Sequence, residues 1–364
     1  MKKVIISGGG TGGHIFPAIA IANTLKKKFP DIDILFIGAV GKMEMEKVPA
    51  AGYVIKGLPI RGFQRKLSFS NFLLPWKIAK SLFLAYRIIK KFQPEVVIGV
   101  GGYASGPTLQ MATMLKIPTL IQEQNSFAGK TNKLLGDKVA KVCVAYEGME
   151  KFFPKEKIVF TGNPVREEMV NIKDKRVEAF SFFKLDSSKK TILVIGGSLG
   201  AQSLNNCLKT KLKIFQEKQV QLIWQTGKTQ FESLKVELKN TNLDGIVFTQ
   251  FISRMDFAYA CADLVVSRAG AIAVSELTLV EKPAILIPSP NVAEDHQTKN
   301  ALALSSKDAA ILIPDIEGQE KLVPTMLDTI QNQELLNNLS KNIKEMAAPS
   351  AAEKIVETIV SLVK

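Results

Sequence analysis

The chain of 364 residues carries 48 Lys and Arg against 34 Asp and Glu, a formal charge of +14, with 46% hydrophobic and 23% charged residues. A chain of this length outgrows one small core and implies two domains, and its composition excludes a disordered or collagenous protein. No apolar run reaches the roughly eighteen residues of a spanning helix. Cys143, Cys207 and Cys261 stand apart with no Cys-x-x-Cys pair, which argues against a disulfide frame or a zinc site and fits a reducing cytoplasm.

Met1-Lys2-Lys3 leads straight into an apolar strand, Val4-Ile5-Ile6, with no secretory signal pattern. Ser7-Gly8-Gly9-Gly10-Thr11-Gly12-Gly13-His14 follows and opens a helix-like run. A glycine-rich turn between strand and helix leaves backbone N–H groups bare at the positive end of the helix dipole, which is a site for phosphate. His14, one of only two histidines, falls on the first helical turn beside it. Gly8, Gly10 and Gly13 offer the spacing of a dinucleotide fold, and the missing Gly-Lys-Ser/Thr excludes a Walker loop. The plainer reading is a tight turn in an ordinary α/β domain.

Further strands are predicted at 32–37, 54–55, 96–98, 119–121, 142–144 and 158–160, with helices at 16–28, 71–91, 108–115 and 129–135. A second glycine turn, Gly99-Val100-Gly101-Gly102-Tyr103, follows the strand at 96–98. A boundary falls near Asn163-Pro164, dividing the chain into domains 1–163 and 164–344. A helix-prone charged stretch at 166–190 leads into strands at 192–195, 221–224, 246–248, 264–266, 284–287 and 310–312. The first of these runs into Gly196-Gly197-Ser198-Leu199-Gly200-Ala201, a third glycine turn. The tail, 341–364, reads as helical and amphipathic and is expected to pack back on the first domain. Continuous apolar strands alternating with helices imply two Rossmann-like, doubly wound parallel sheets, each binding ligand at its carboxyl strand ends across a shared cleft.

Residues 47–94 contain no Asp or Glu but hold Lys47, Lys56, Arg61, Arg65, Lys66, Lys77, Lys80, Arg87, Lys90 and Lys91. Phe63, Leu67, Phe69, Phe72, Leu73, Leu74, Trp76, Phe83, Leu84 and Tyr86 are interleaved with them, some necessarily facing the core. Basic residues mixed with bulky apolars suit an anionic membrane surface. No helix-turn-helix, RNP or zinc-finger signature accompanies the charge, so nucleic acid is not the expected partner.

These motifs, together with Pro17, Glu123-Gln124-Asn125, Gly162-Asn163-Pro164-Val165-Arg166, Ser267-Arg268-Ala269-Gly270 and Asp295-His296-Gln297, occur in one order along nearly the whole chain. The set resembles the MurG family of peptidoglycan N-acetylglucosaminyltransferases. The resemblance implies a GT-B fold whose C-terminal domain holds UDP-GlcNAc and whose N-terminal domain holds the lipid acceptor. It implies inverting transfer of GlcNAc to the C4 hydroxyl of MurNAc-pentapeptide on undecaprenyl diphosphate (lipid I), giving lipid II. It also implies a peripheral location on the cytoplasmic face of the plasma membrane, with other cell-wall synthesis proteins as possible partners.

Carried over residue by residue, the resemblance assigns Thr11, Gly12 and Gly13 to donor and acceptor diphosphate. Asn125 and Gln297 go to the donor sugar, Arg166 and Ser198 to the nucleotide, and the Ile252 backbone to uracil. Ala271, Ile272, Ala273, Val274, Ser275 and Glu276 run along diphosphate and ribose, with Glu276 on the ribose hydroxyls; the plain alternative for Glu276 is a solvated helix residue. His14, Tyr103, Glu123 and Asn132 take acceptor-side positions. His14 is either the general base, as an imidazole with a reference pKa of about 6.5 suits, or a residue that orders the loop or meets phosphate.

UDP leaves with two negative charges, which helix N-termini can hold without metal. Asp31-Ile32-Asp33 offers an Asp-x-Asp of metal-dependent transferases but sits at a strand start and is read as structural. No protein-bound metal or cofactor is expected. Two enzymatic rivals share the fold signals. A nicotinamide-dependent oxidoreductase would want a carboxylate at the end of the second strand, where Phe36-Ile37-Gly38-Ala39-Val40 has none. A UDP-GlcNAc 2-epimerase would not need the basic apolar stretch.

Overall fold

The computed structural model of the chain describes residues 1–60, 74–165, 169, 172–197 and 199–363. The basic and apolar residues of 61–73, and Arg166 and Ser198, lie outside the described residues. Two compact units form, Met1–Val165 with Ala348–Lys364, and Arg166–Ala347.

The first unit runs β1 (Lys3–Ser7), α1 (Gly12–Lys28), β2 (Asp33–Ala39), α2 (Glu44–Ala50), β3 (Val54–Leu58), α3 (Leu74–Phe92), β4 (Val96–Gly99), α4 (Ser105–Met114), β5 (Thr119–Glu123), α5 (Lys130–Leu135), β6 (Lys141–Val144) and β7 (Ile158–Phe160). The seven strands lie in the order β3-β2-β1-β4-β5-β6-β7, and every pairing is parallel. The order reverses between β1 and β4, the switch point at which open α/β sheets bind ligands. Both sheet faces are covered, so alternate residues of one strand enter different cores. Ile5 joins Ala85, Ile89 and Leu109, whereas Val4 and Ile6 join Ile15, Ile21 and Leu25. This explains the unbroken apolar runs in the sequence.

The second unit contains α6 (Arg176–Phe183), β8 (Thr191–Ile195), α7 (Gln202–Lys209), α8 (Leu212–Glu217), β9 (Gln221–Gln225), α9 (Phe231–Glu237), β10 (Ile246–Thr249), α10 (Met255–Cys261), β11 (Leu264–Ser267), α11 (Ala271–Leu279), β12 (Ala284–Leu286), α12 (His296–Ser305), β13 (Ile311–Leu312), α13 (Gly318–Gln331) and α14 (Gln333–Glu345). Its six strands are ordered β10-β9-β8-β11-β12-β13, again all parallel, with the switch between β8 and β11. Trp224, Phe215 and Leu204 sit in its core.

Two stretches differ from the sequence reading. Within 166–190 only α6 is a regular α-helix among the described residues. It stops where Lys184 turns left-handed at φ 54°; Leu185 N–H then bonds Phe180 O at 3.0 Å and Lys184 N–H bonds Ser181 O at 3.2 Å, a Schellman closure built without glycine. The tail is two helices. Pro349, which has no N–H to donate, and Ser350 at φ 61° separate α14 from α15 (Ala351–Ser361).

α15 belongs to the first unit, where Ile355, Val356 and Ile359 join the core that α1 covers. Ile359 is fully buried. Ile359→Ala is expected to destabilise this unit by about 2–5 kcal/mol, read as a lower denaturation midpoint and faster proteolysis after residue 347. An unchanged midpoint would show that α15 is not part of this core.

Candidate active site

In the first unit the functional candidates lie at the carboxyl ends of β1, β4 and β5. The glycine-rich loop between β1 and α1 is less bare than its sequence implies. Gly8 N–H bonds Ile37 O at 3.2 Å and Gly9 N–H bonds Gly101 O at 3.3 Å. Gly10 N–H donates to Glu44 Oε2 at 2.8 Å. The amides left without an acceptor among the described residues are those of Thr11, Gly12 and Gly13. Thr11 is the N-cap of α1 in extended conformation, its side chain does not cap, and the first turn has no carboxylate. The field of a 17-residue helix is therefore uncompensated at this point.

Glu44 is a residue that the sequence reading missed. It is buried, and its Oε1 also accepts from Ala39 N–H at 2.9 Å. A Cβ on Gly9 would fall 2.2 Å from the Glu44 carboxyl carbon, so the loop needs glycine there. The first residue of α2 thus returns a carboxylate to the end of β2. That is where a dinucleotide fold keeps its ribose-binding acid, but this one is buried and spent on two backbone amides. No local pattern in the sequence marks it.

His14 stands on the first turn of α1 with Nδ1 2.8 Å from Gln124 Oε1. Its ring lies over Gly101, where a Cβ would come within 2.9 Å of Cε1. Tyr103 is exposed beside this turn. Glu123 and Asn132 are buried and face each other. Glu123 Oε2 accepts from Asn132 Nδ2 at 2.8 Å and from Gly129 N–H at 3.0 Å, and Oε1 accepts from Asn125 N–H at 3.0 Å and Nδ2 at 3.3 Å. The carboxylate folds the 125–132 loop around itself and thereby places Asn125. Asp31 and Asp33 lie at the opposite, amino end of the sheet, where Asp33 pairs with Lys3.

In the second unit the candidates follow β8, β10, β11 and β12. The amides of Ala271, Ile272 and Ala273, at the start of α11, have no acceptor among the described residues, and that turn too has no carboxylate. Glu276 lies further along the helix and is 5% exposed, with Tyr259 Oη 3.3 Å from Oε2. Its burial rules out the solvated alternative. Ile252 buries its side chain while its peptide N–H and C=O make no hydrogen bond among the described residues. The turn that follows is pinned by Asp256, which takes two bonds from Arg254 at 2.9 Å and one from Lys175 at 2.9 Å. The Arg254 guanidinium, with help from Lys175, holds its carboxyl well below the usual carboxylate range.

Gln297 accepts from Ser289 N–H at 2.8 Å, fixing the loop before α12. Within that loop Glu294 and Asp295 are both left-handed, at φ 56° and 51°, a costly pair of non-glycine conformations of the kind found at binding sites. Arg268 belongs to the Ser267–Gly270 motif, but the sequence assigns it no role. It donates to Ile287 O, Pro288 O, Asp315 and Ser203, and so ties the loops after β11 and β12 to α7.

On α3, Ser81, Ala85 and Ile89 are buried, whereas Trp76, Phe83 and Tyr86 are exposed. Leu84 is one of the residues turned to the core. Arg87 lies 5.9 Å from the Phe83 ring centroid and Lys90 6.0 Å from that of Tyr86, so cations and aromatics share the outer face.

Residues 4–144 match the N-terminal domain of glycosyltransferase family 28, and residues 191–355 match its C-terminal domain. The chain is 55% identical over 361 residues to the UDP-N-acetylglucosamine–N-acetylmuramyl-(pentapeptide) pyrophosphoryl-undecaprenol N-acetylglucosamine transferase of Parabacteroides distasonis, covering 99% of this chain and 98% of the relative. The protein of the same description from Bacteroides fragilis is 54% identical, over 99% of this chain and 95% of its own. Among solved structures, Acinetobacter baumannii MurG matches with a TM-score of 0.78 at 30% identity, over 99% of this chain and 100% of its own. The chain therefore belongs to glycosyltransferase family 28 and, within it, to the MurG N-acetylglucosamine transferases, with their two-domain GT-B α/β fold.

Proposed function

We propose that this chain transfers GlcNAc from UDP-GlcNAc to the C4 hydroxyl of MurNAc-pentapeptide on undecaprenyl diphosphate, inverting the anomeric centre to give lipid II. The observation that carries the reading is the start of α11. Three main-chain amides there have no acceptor among the described residues, and a buried carboxylate follows them on the same helix. Amides of this kind stabilise the charge that develops on a departing diphosphate, and Glu276 accepts hydroxyl protons from the ribose. Ile252 offers uracil a peptide N–H and C=O, complementary to the donor and acceptor edge of the base. Gln297 and Asn125 address the sugar hydroxyls, and Arg166 and Ser198 the nucleotide.

In the first unit the Thr11, Gly12 and Gly13 amides take phosphate, and Tyr103, Glu123 and Asn132 belong to the acceptor side. Glu123 acts there by shaping its loop, since its hydrogen bonds among the described residues all go to Asn125, Gly129 and Asn132. His14 takes the C4 hydroxyl proton as that oxygen attacks the anomeric carbon. The amides neutralise the leaving group, so the reading needs no protein-bound metal.

Incubation with radiolabelled UDP-GlcNAc and a lipid I analogue is expected to yield a labelled disaccharide lipid. His14→Ala is expected to lose at least about tenfold in rate, and to lose the limb on the acid side of the pH–rate profile, where a base must be neutral to act. A variant that keeps that limb and loses less than tenfold would remove His14 from the base role.

The outer face of α3 supports a peripheral position on an anionic membrane, where a polyprenyl acceptor resides. Its exposed aromatics suit the headgroup boundary and its cations the lipid charge. Charge reversal at Lys77, Lys80 and Lys91 is expected to weaken binding to anionic vesicles while leaving UDP affinity unchanged. Equal binding of the unaltered protein to anionic and neutral vesicles would contradict this.

A further inference from the structure

Behind His14 lies a chain of three side-chain amides. Gln122 and Gln124 are fully buried and Asn163 is 3% exposed. Gln122 lies in β5, Gln124 follows that strand, and Asn163 follows β7. Main-chain carbonyls, which only accept, fix the direction of this chain. Asn163 Nδ2 donates to Gln124 O at 2.9 Å, so Asn163 Oδ1 faces Gln122. Gln122 Nε2 donates to that oxygen at 2.9 Å, which turns Gln122 Oε1 toward Gln124 Nε2. Gln124 Nε2 also faces the carbonyl oxygens of Val100 and Gln122, each at 2.9 Å.

Turning the Gln124 amide over would set its oxygen against three acceptors. Its Oε1 therefore points to His14, 2.8 Å from Nδ1, where it is satisfied only by an N–H. A neutral imidazole carries one ring proton, so a proton on Nδ1 leaves Nε2 with its lone pair.

We propose that Gln124 is a positioning residue that holds His14 in the Nδ1–H tautomer, with Nε2 presented as the proton acceptor. Its catalytic use rests on the reading of His14 as base; the tautomer does not. In the step it serves, the C4 hydroxyl proton passes to Nε2 and the O–H electron pair forms the new bond to the anomeric carbon. The old bond from that carbon to the phosphate oxygen leaves with its electrons on UDP. His14 becomes an imidazolium whose Nδ1–H remains bonded to Gln124. The partner is a neutral amide, so it orients the ring without adding a negative charge beside it.

The chain has only two histidines, so histidine labelled with nitrogen-15 gives a spectrum simple enough to read each ring in the full-length protein. The His14 resonances are those lost in His14→Ala. Above the titration of the ring, unaltered protein is expected to show a protonated Nδ1 and an unprotonated Nε2. Gln124→Met, close in size but without the acceptor, is expected to shift His14 toward the Nε2–H form. Its kcat is expected to fall about tenfold or more with KM for UDP-GlcNAc little changed. An Nε2–H tautomer in the unaltered protein would overturn the proposal and needs no variant to fold. So would an unchanged tautomer in folded Gln124→Met. Activity retained in His14→Ala would remove the base reading alone, because an Nδ1–H signal that depends on Gln124 would still support the positioning role.

Discussion

The first amides of a helix have no acceptor within that helix, and where they find one organises both units. In the first, the loop after β1 satisfies Gly8 and Gly9 through main-chain carbonyls and Gly10 through Glu44, and Thr11, Gly12 and Gly13 find no acceptor among the described residues. In the second, the amides of Ala271, Ile272 and Ala273 find none among the described residues. None of α1, α7 or α11 has a carboxylate in its first turn. A side-chain anion there would stabilise the helix by about 0.3–1 kcal/mol. Its absence leaves the field for an anion from outside, and a sugar nucleotide and a lipid diphosphate both supply one.

The surrounding polar residues keep these openings in shape. Glu44 welds the glycine loop to the end of β2. Glu123 gathers the 125–132 loop around one buried carboxylate. Arg268 joins two strand-end loops and α7 through one guanidinium. Each is a buried or half-buried charge with its hydrogen bonds filled, and removing one would leave its partners unsatisfied at a cost of about 1–3 kcal/mol or more. Rigidity of this kind lets an amide act on a transition state without reorganising first.

Much of the fold was legible because parallel strands covered on both faces must be apolar throughout. Val96, Val97 and Ile98, or Ile192, Leu193 and Val194, announce themselves that way. The glycine turns were legible for a related reason, since backbone can approach backbone only where side chains are missing. Long-range polar closure was not. Glu44 is 34 residues from Gly10, Gln124 is 110 from His14, and Asp315 is 47 from Arg268. Such partners are set by the folded topology, and an acid or amide that makes them looks like any other in sequence. The helix limit set by left-handed Lys184 was likewise hidden, because that position carries no glycine, whereas Pro349 marks the break before α15 in the sequence itself.

We propose that the amides at the head of α11, which have no acceptor among the described residues, hold the leaving diphosphate while Glu276 holds the ribose. A crystal structure of the protein with UDP-GlcNAc decides it. The diphosphate is expected within hydrogen-bond distance of the Ala271, Ile272 or Ala273 amides, with both ribose hydroxyls on the Glu276 carboxylate. A nucleotide bound away from α11, or one whose ribose leaves Glu276 untouched, would contradict it.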